Sequence, residues 1–165
     1  MADLTNRERL QPSLLDRLTD NEPQKRSESR DDRVLSVDRL KQCVLRDLEW
    51  LLNTENLCSP VDFGRYPEIQ SSVLNFGRPA LSGKAGSTVD LKQLQSQIHQ
   101  AILSFEPRII ADTLQILIQY DDDVQSNNSL RFEIRGQLFA QPLPLSLFLR
   151  TDVDLESGVI HVIEE

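Results

Sequence analysis

The pattern of hydrophobic and polar positions divides the chain into a helical part and a strand part. Apolar residues recur every three or four positions over 37–52 and over 91–105, a spacing that predicts two long amphipathic helices. The first begins after Ser36, a suitable N-cap, and the second ends before Pro107, since a residue before proline is pushed out of helical geometry. Trp50 lies beside the first apolar stripe and is predicted to pack under it.

A shorter helix is predicted between the two long ones, over 66–77. Pro67 stands in its first turn, where proline is tolerated, and Gly77 marks its end. The second long helix is predicted to be capped by Ser87 or Thr88, because Ser87 is followed three residues later by Asp90.

After the second long helix the period of the pattern changes to two. Alternation predicts strands over 114–120, 130–138 and 143–151, with Pro144 at the start of the third, and a last short strand over 159–163. Helices followed by sequential hairpins predict an α+β fold. In it, a mostly antiparallel sheet in the C-terminal third packs against the two long helices.

The first 35 residues differ from the rest and predict an arm on a single domain of residues 36–165. The arm holds a short amphipathic helix and then a polar linker, 20–33, without any large apolar residue. A helix this short is not stable alone in water, so we expect it to dock, either on its own domain or on a partner. The residues expected to make that contact are Leu14, Leu15 and Leu18.

The net charge of the chain argues against two classes of partner. The chain carries 18 basic and 26 acidic residues, a net charge of −8, and residues 106–165 alone hold 4 basic and 11 acidic ones. Nucleic acids and anionic membranes attract the opposite sign, so we expect neither as a partner. No apolar run of membrane-spanning length and no apolar leader segment occurs, and Cys43 and Cys58 resemble buried thiols, which together predict a cytoplasmic protein.

Residues suited to catalysis are few. His99 and His161 fall at polar or rim positions, and no phosphate loop, nucleophile motif or metal-binding spacing occurs, so no cofactor, metal or catalytic residue is predicted. The enzymatic alternative is a glycosidase, which needs a pair of carboxylic acids in different environments. The carboxylates available for that alternative are Glu106, Asp112, Asp121, Asp122, Asp123 and Glu133.

Two features point instead to binding another protein. Glu106, Pro107 and Arg108 form a corner between helix and strand, where the two charges either pair with each other or meet complementary groups of a partner. The last strands are short and strongly patterned, which predicts an exposed sheet edge to which another strand could add, unless Pro142, Pro144 and the acidic residues blunt it.

Several stretches together resemble one family. They are 12–18 (PSLLDRL), 46–54 (RDLEWLLNT), 66–77 (YPEIQSSVLNFG), 105–109 (FEPRI), 132–138 (FEIRGQL) and 142–145 (PLPL). In this order they are similar to the TssE family of type VI secretion baseplate subunits. These belong with the small, sometimes "lysozyme-like", wedge proteins of contractile phage tails.

The resemblance implies a structural protein rather than an enzyme. Family members sit in baseplate wedges in the cytoplasm near the inner membrane, contact the larger subunits TssF and TssG, and start assembly of the TssB/TssC sheath by strand addition. The resemblance assigns wedge contact to Glu106, Pro107 and Arg108. Further candidates for partner contact lie on the polar side of the strands, namely Arg135, Gln137 and Arg150. A lysozyme-like, peptidoglycan-cleaving activity stays the alternative.

Overall fold

The computed structural model describes residues 13–19, 23–24, 37–57, 64–80, 90–120, 129–140, 144–154 and 159–164. Its helices are α1 (Leu14–Leu18), α2 (Val37–Asn53) and α3 (Leu91–Phe105), and its strands are β1 (Gln115–Tyr120), β2 (Ser129–Leu138), β3 (Leu145–Asp154) and β4 (Ile160–Glu164). Short 3-10 turns cover Pro67–Ser71, Val73–Asn75 and Ala111–Thr113. The predicted α+β class is confirmed.

The four strands form one antiparallel sheet in the order β1-β2-β3-β4. Ile116, Ile134 and Leu149 stand opposite one another in register, so their side chains share a face of the sheet, and all three are buried. The alternation predicted from the sequence therefore assigns the correct residues to the inward face. Within the described residues, β1 and β4 are the edges.

Both long helices cover this inward face. Helix α2 packs on β4 and α3 packs on β1, and the two helices also contact each other. Their buried residues follow the predicted stripes, which pack with the inward side chains of the sheet into one core. The fully buried members contributed by the helices are Val44, Leu48, Leu51, Leu52, Ile98 and Ile102.

Trp50 does not pack under its helix as predicted: its side chain is 52% exposed. Successive residues of a helix are rotated by about 100°, so Trp50, two positions after the buried Leu48, points about 200° away from it and toward solvent. The guanidinium of Arg46, one turn earlier, lies 5.2 Å from the centre of the Trp50 ring.

Three element boundaries differ from the prediction. The segment 66–77 forms two 3-10 turns, because Ser72 between them is extended and its side chain accepts a hydrogen bond from the Leu74 N–H. Asp90 caps α3 by accepting from the N–H groups of Lys92 and Gln93; Ser87 and Thr88 lie outside the described residues.

The third boundary concerns β1, which begins at Gln115 because a 3-10 turn precedes it and Leu114 N–H bonds to the carbonyl of Ala111. Strand β3 is described from Leu145, and the predicted start at Leu143 lies outside the described residues. None of the helices described here is long and apolar enough to cross a membrane.

Candidate partner-binding site

The corner after α3 is fixed by backbone hydrogen bonds on both sides. The N–H of Glu106 bonds to the carbonyl of Ile102 at 2.8 Å and closes the last turn of α3. Pro107 then prevents the helix from continuing. Two residues later the chain joins the end of β2, where the N–H of Phe139 bonds to the carbonyl of Arg108 at 2.7 Å. The corner is therefore held by a helix end and by a sheet end.

Glu106 and Arg108 pair with each other. The Nε of Arg108 donates to Oε1 of Glu106 at 2.7 Å and Nη2 donates to Oε2 at 2.5 Å, so the guanidinium holds both carboxylate oxygens. Arg108 Nη2 also bonds to Asp47 of α2. Only 3% of the Glu106 side chain is exposed, against 22% for Arg108. The sequence left open whether the two charges pair with each other or with groups of a partner. In the structure they pair with each other.

This pairing keeps Arg108 charged. Burial alone would lower the pKa of the Arg108 guanidinium, but hydrogen bonds and charge interactions with Glu106 and Asp47 outweigh burial and raise that pKa above its usual value. Glu106 and Arg108 bind each other rather than a group in solvent. The residue of the corner that faces solvent is Pro107, which is exposed.

Phe139 is an exposed residue beside the corner that the sequence reasoning did not select. Its side chain is 63% exposed, and its backbone is bonded to Arg108. The alternation in β2 contained the signal, because residues 135 and 137 point away from the core and 139 continues that series. We call the exposed pair Pro107 and Phe139 the corner surface.

A chain of ion pairs runs from the corner to α1. Asp47 also accepts bonds from Arg46, at 2.9 Å from Nε and 2.8 Å from Nη2, and Arg46 Nη1 bonds to Asp16 of α1 at 2.8 Å. The buried Asp16 is held from the other side by the hydroxyl of Ser13, the N-cap of α1. We call the five groups Asp16, Arg46, Asp47, Arg108 and Glu106 the ion chain.

Asp16 is ionised in this setting. Burial raises the pKa of its carboxyl group, but hydrogen bonds from Ser13, Arg46 and Cys43 outweigh burial and lower that pKa to about 2. Burial, together with the neighbouring carboxylate, raises the pKa of the Cys43 thiol. Cys43 is buried and free, whereas Cys58 lies outside the described residues.

The predicted leucines of α1 do not face the domain. Leu14 is 73% exposed, Leu18 is 72% exposed and Leu15 is 42% exposed, while Asp16 between them is buried. An amphipathic helix normally buries its apolar side. Here α1 docks on its own domain through a carboxylate and turns its leucines outward.

The predicted residues of the sheet lie on its outward face. Arg135 donates to Glu133 at 2.8 Å and stacks over the ring of Phe148, and Arg150 approaches the other oxygen of Glu133 at 4.0 Å. Gln137 is exposed further along β2, toward the corner. The structure thus brings Arg135 and Arg150 together around one carboxylate and places Gln137 between them and Phe139.

Side-chain amides bond to both edge strands of the sheet. Asn53 at the end of α2 donates to the carbonyl of Ile160 at 2.9 Å and accepts from its N–H at 2.8 Å. On the opposite edge, Gln95 of α3 donates to the carbonyl of Ile116 at 2.6 Å. In an antiparallel strand the backbone groups of alternate residues point to the same edge. Beyond the positions bonded to these amides, the backbone N–H and C=O groups that point away from the neighbouring strand belong to residues 162 and 164 of β4. On the other edge they belong to residues 118 and 120 of β1.

The carboxylates considered for an enzyme are placed differently. Glu106 is engaged with Arg108 through both oxygens, and Glu133 lies between two arginines on the outward face. Asp112 is exposed in the 3-10 turn before β1, and 121–123 lie outside the described residues. The described carboxylates thus lie in ion pairs or in solvent.

A small α+β domain with a hydrogen-bonded corner, exposed apolar residues and two sheet edges offers surfaces for contact with other proteins. Comparison with family models identifies the class of protein to which it belongs. The family described as "Baseplate wedge protein gp25" matches residues 38–143, more than half of the chain. The chain therefore belongs to the gp25 family of baseplate wedge proteins. Neither the curated proteins nor the solved structures yielded a significant match.

Proposed function

We propose that this chain is a TssE-type subunit, the structural wedge component of a type VI secretion baseplate, which anchors to TssF and TssG and starts TssB/TssC sheath assembly. Membership of the gp25 family supports the baseplate role, and the order of sequence motifs supports the secretion system over a phage tail. Under this proposal the protein acts in the cytoplasm, in a baseplate close to the inner membrane, and performs no catalysis.

The observation that carries the proposal is the rigid corner. The internal pair of Glu106 and Arg108 fixes the backbone on either side of Pro107, and the exposed Phe139 stands beside it. An exposed phenylalanine on a preorganised backbone loses little conformational freedom when a partner covers it. We assign Glu106 and Arg108 to positioning the corner, and Pro107 and Phe139 to contact with the wedge.

The sheet supplies the second contact under this proposal. Residues 162 and 164 of β4 turn N–H and C=O groups toward an edge that no other described strand pairs with. Such groups bind an extended segment of another chain. The edge of β1 is shortened at its start by the 3-10 turn at 111–113, and the carbonyl of Ile116 on this edge is already bonded to Gln95. We therefore assign β4 to strand addition from the sheath, with Arg135, Gln137 and Arg150 on the adjoining outward face.

Wedge binding is tested with the full-length chain and a purified TssF–TssG complex from the same organism. Phe139→Ser should reduce the affinity about tenfold or more, because burial of a mostly exposed aromatic side chain is lost. Val37→Ser is the matched control, since Val37 is also exposed, at 43%, but lies at the far end of α2. Substituting Arg108 would not separate binding from folding, because Glu106 would be left buried without its partner.

Two outcomes would contradict the proposal. If the wild-type chain does not bind TssF–TssG, the wedge assignment fails. If Phe139→Ser binds as tightly as wild type, the corner surface is not the contact. Release of soluble fragments from purified peptidoglycan by the wild-type chain would instead favour the enzymatic alternative.

A further inference from the structure

The edge of β4 begins with a residue whose outward backbone groups are already paired. Oδ1 of Asn53 accepts from the N–H of Ile160 at 2.8 Å, and Nδ2 of Asn53 donates to the C=O of Ile160 at 2.9 Å. Two opposed residues of an antiparallel pair exchange the same two bonds. The amide of Asn53 therefore takes the place that a residue of an added strand would occupy opposite Ile160.

Asn53 is held in this position by its surroundings. Its Nδ2 also donates to the carbonyl of Glu49 at 3.0 Å, so both hydrogens of the amide are used. The residues on either side of it are bonded to the buried Arg78. The Nε of Arg78 donates to the carbonyl of Leu52 at 2.6 Å, and the N–H of Arg78 donates to the carbonyl of Thr54 at 2.8 Å. The end of α2 is thus anchored, and the amide cannot turn away from β4 without breaking its three bonds.

An incoming strand gains little by displacing this amide. It would make two bonds to Ile160 in place of two that already exist, and the bond between Asn53 and Glu49 would be disturbed. Ordering one more residue of the incoming chain also costs conformational entropy. The outward groups of residues 162 and 164, in contrast, face an edge that no other described strand pairs with. Pairing is therefore favoured at 162 and 164 and opposed at 160.

We infer that Asn53 limits the register of the sheath strand that adds to β4, by excluding that strand from the position opposite Ile160. This inference rests on the proposed function. Asn53 is exposed, so the incoming chain meets its side chain directly. The segment that binds is an extended piece of a sheath subunit that pairs with residues 162 and 164 and then ends or turns at Asn53. Registers that would carry the paired segment past this point are excluded.

The test is hydrogen exchange at single-residue resolution on the full-length chain, alone and with purified TssB–TssC from the same organism. In the wild type, binding should slow exchange of the N–H groups of residues 162 and 164 about tenfold or more, while the Ile160 N–H is already slow in the free chain. In Asn53→Ala, the Ile160 N–H should exchange fast in the free chain and become about tenfold or more slower in the complex, because the strand then extends over this position.

A second variant and a matched control accompany this measurement. Asn53→Ser is also too short to make both bonds to Ile160 and should behave as Asn53→Ala does. Wild-type exchange rates in β2 verify that each variant is folded. Gln95→Ala is the control, because Gln95 bonds to the carbonyl of Ile116 on the opposite edge of the sheet. It should leave exchange in β4 as in the wild type, with and without TssB–TssC.

Three results would overturn the inference. If TssB–TssC slows exchange at neither 162 nor 164 in the wild type, strand addition at β4 fails, and the proposed sheath contact fails with it. If 162 and 164 are slowed but the Ile160 N–H of the folded Asn53 variants stays fast in the complex, Asn53 does not limit the strand, while the proposed function stands. An extension of the slowed region to Ile160 that requires no change at Asn53, as in Gln95→Ala, would show that the limit is not set by this residue.

Discussion

Asn53, the last residue of α2, binds both backbone groups of Ile160, the first residue of β4. Its amide donates at 2.9 Å and accepts at 2.8 Å, so one side chain makes the two bonds that a neighbouring strand would make. Asn53 therefore connects the helical layer to the sheet and also closes the first position of an exposed edge.

Asn53→Ala should destabilise the domain by about 1–3 kcal/mol, because it leaves two partly buried backbone groups without their partner. Urea unfolding followed by circular dichroism measures the loss. The variant should also self-associate more at high concentration, since the edge gains a free position. Asn53→Asp is the control, because it keeps an acceptor for the Ile160 N–H and lacks the donor. Its free energy of unfolding should therefore lie between those of the wild type and Asn53→Ala. Equal stability of all three proteins would exclude this role.

Gly77 marks the end of the second 3-10 turn and occupies a position that other residues cannot adopt easily. Its φ is +124°, and a Cβ at this site would stand 2.4 Å from the carbonyl oxygen of Thr54. Gly77→Ala should therefore cost about 2–4 kcal/mol, because both the backbone and the Thr54–Arg78 connection must shift.

Gly136→Ala is the matched comparison for Gly77. A Cβ at Gly136 meets its nearest neighbour, a side-chain methyl of Ile109, at 3.4 Å, which is ordinary contact. Thermal unfolding of the two variants should show a large loss for Gly77→Ala and a change within about 1 kcal/mol for Gly136→Ala. Similar melting temperatures for the two would mean that Gly77 is not constrained as described.

Much of the fold follows from short-range pattern. Period-two alternation places Phe132, Ile134 and Leu149 on the inward face, and the helical stripes select the buried residues of α2 and α3, as observed. Trp50 was assigned wrongly because it lies beside the buried stripe in sequence but points to the opposite side of the helix from Leu48. Phe139 could have been found by extending the alternation of β2 by one more step.

The ion chain could not be predicted in the same way. Asp16 and Arg46 are 30 residues apart in sequence, and Asp47 and Arg108 are 61 residues apart. Periodicity reports which face of an element is apolar, but it carries no information about which charges meet after packing. The sequence correctly singled out Glu106 and Arg108 as a pair of interest, whereas the role of Asp47 as their third partner depends on the contact between α2 and the corner.

Acid should release α1 from the domain. Since the pKa of Asp16 is lowered from 3.8 to about 2, the folded state favours the ionised carboxylate more than the unfolded state does. The stability that this group contributes, about 2 kcal/mol at most, is fully present above about pH 4 and is lost as pH falls through 2. Trp50 is the only tryptophan and is stacked under Arg46, so its fluorescence reports this region.

Asp16→Asn is the comparison for the acid prediction. The stability difference between wild type and Asp16→Asn should be largest above pH 4 and should shrink toward pH 2, measured by urea unfolding at each pH. The shift in Trp50 fluorescence that accompanies it should be absent from the variant. A difference that stays constant across this range would show that Asp16 is not held as an ionised group.

The corner should depend on both members of its ion pair. Arg108→Ala leaves Glu106, whose side chain is 3% exposed, as a buried carboxylate without its main partner, and this should destabilise the domain by about 3–5 kcal/mol. The double variant Glu106→Gln with Arg108→Ala removes the stranded charge and should recover part of that loss. Urea unfolding of the wild type, both single variants and the double variant gives the coupling energy. Asp47 keeps Arg46 as a partner in every variant, so the coupling isolates the pair. Strictly additive losses would mean that Glu106 and Arg108 do not depend on each other, and the corner would then be held by its backbone bonds alone.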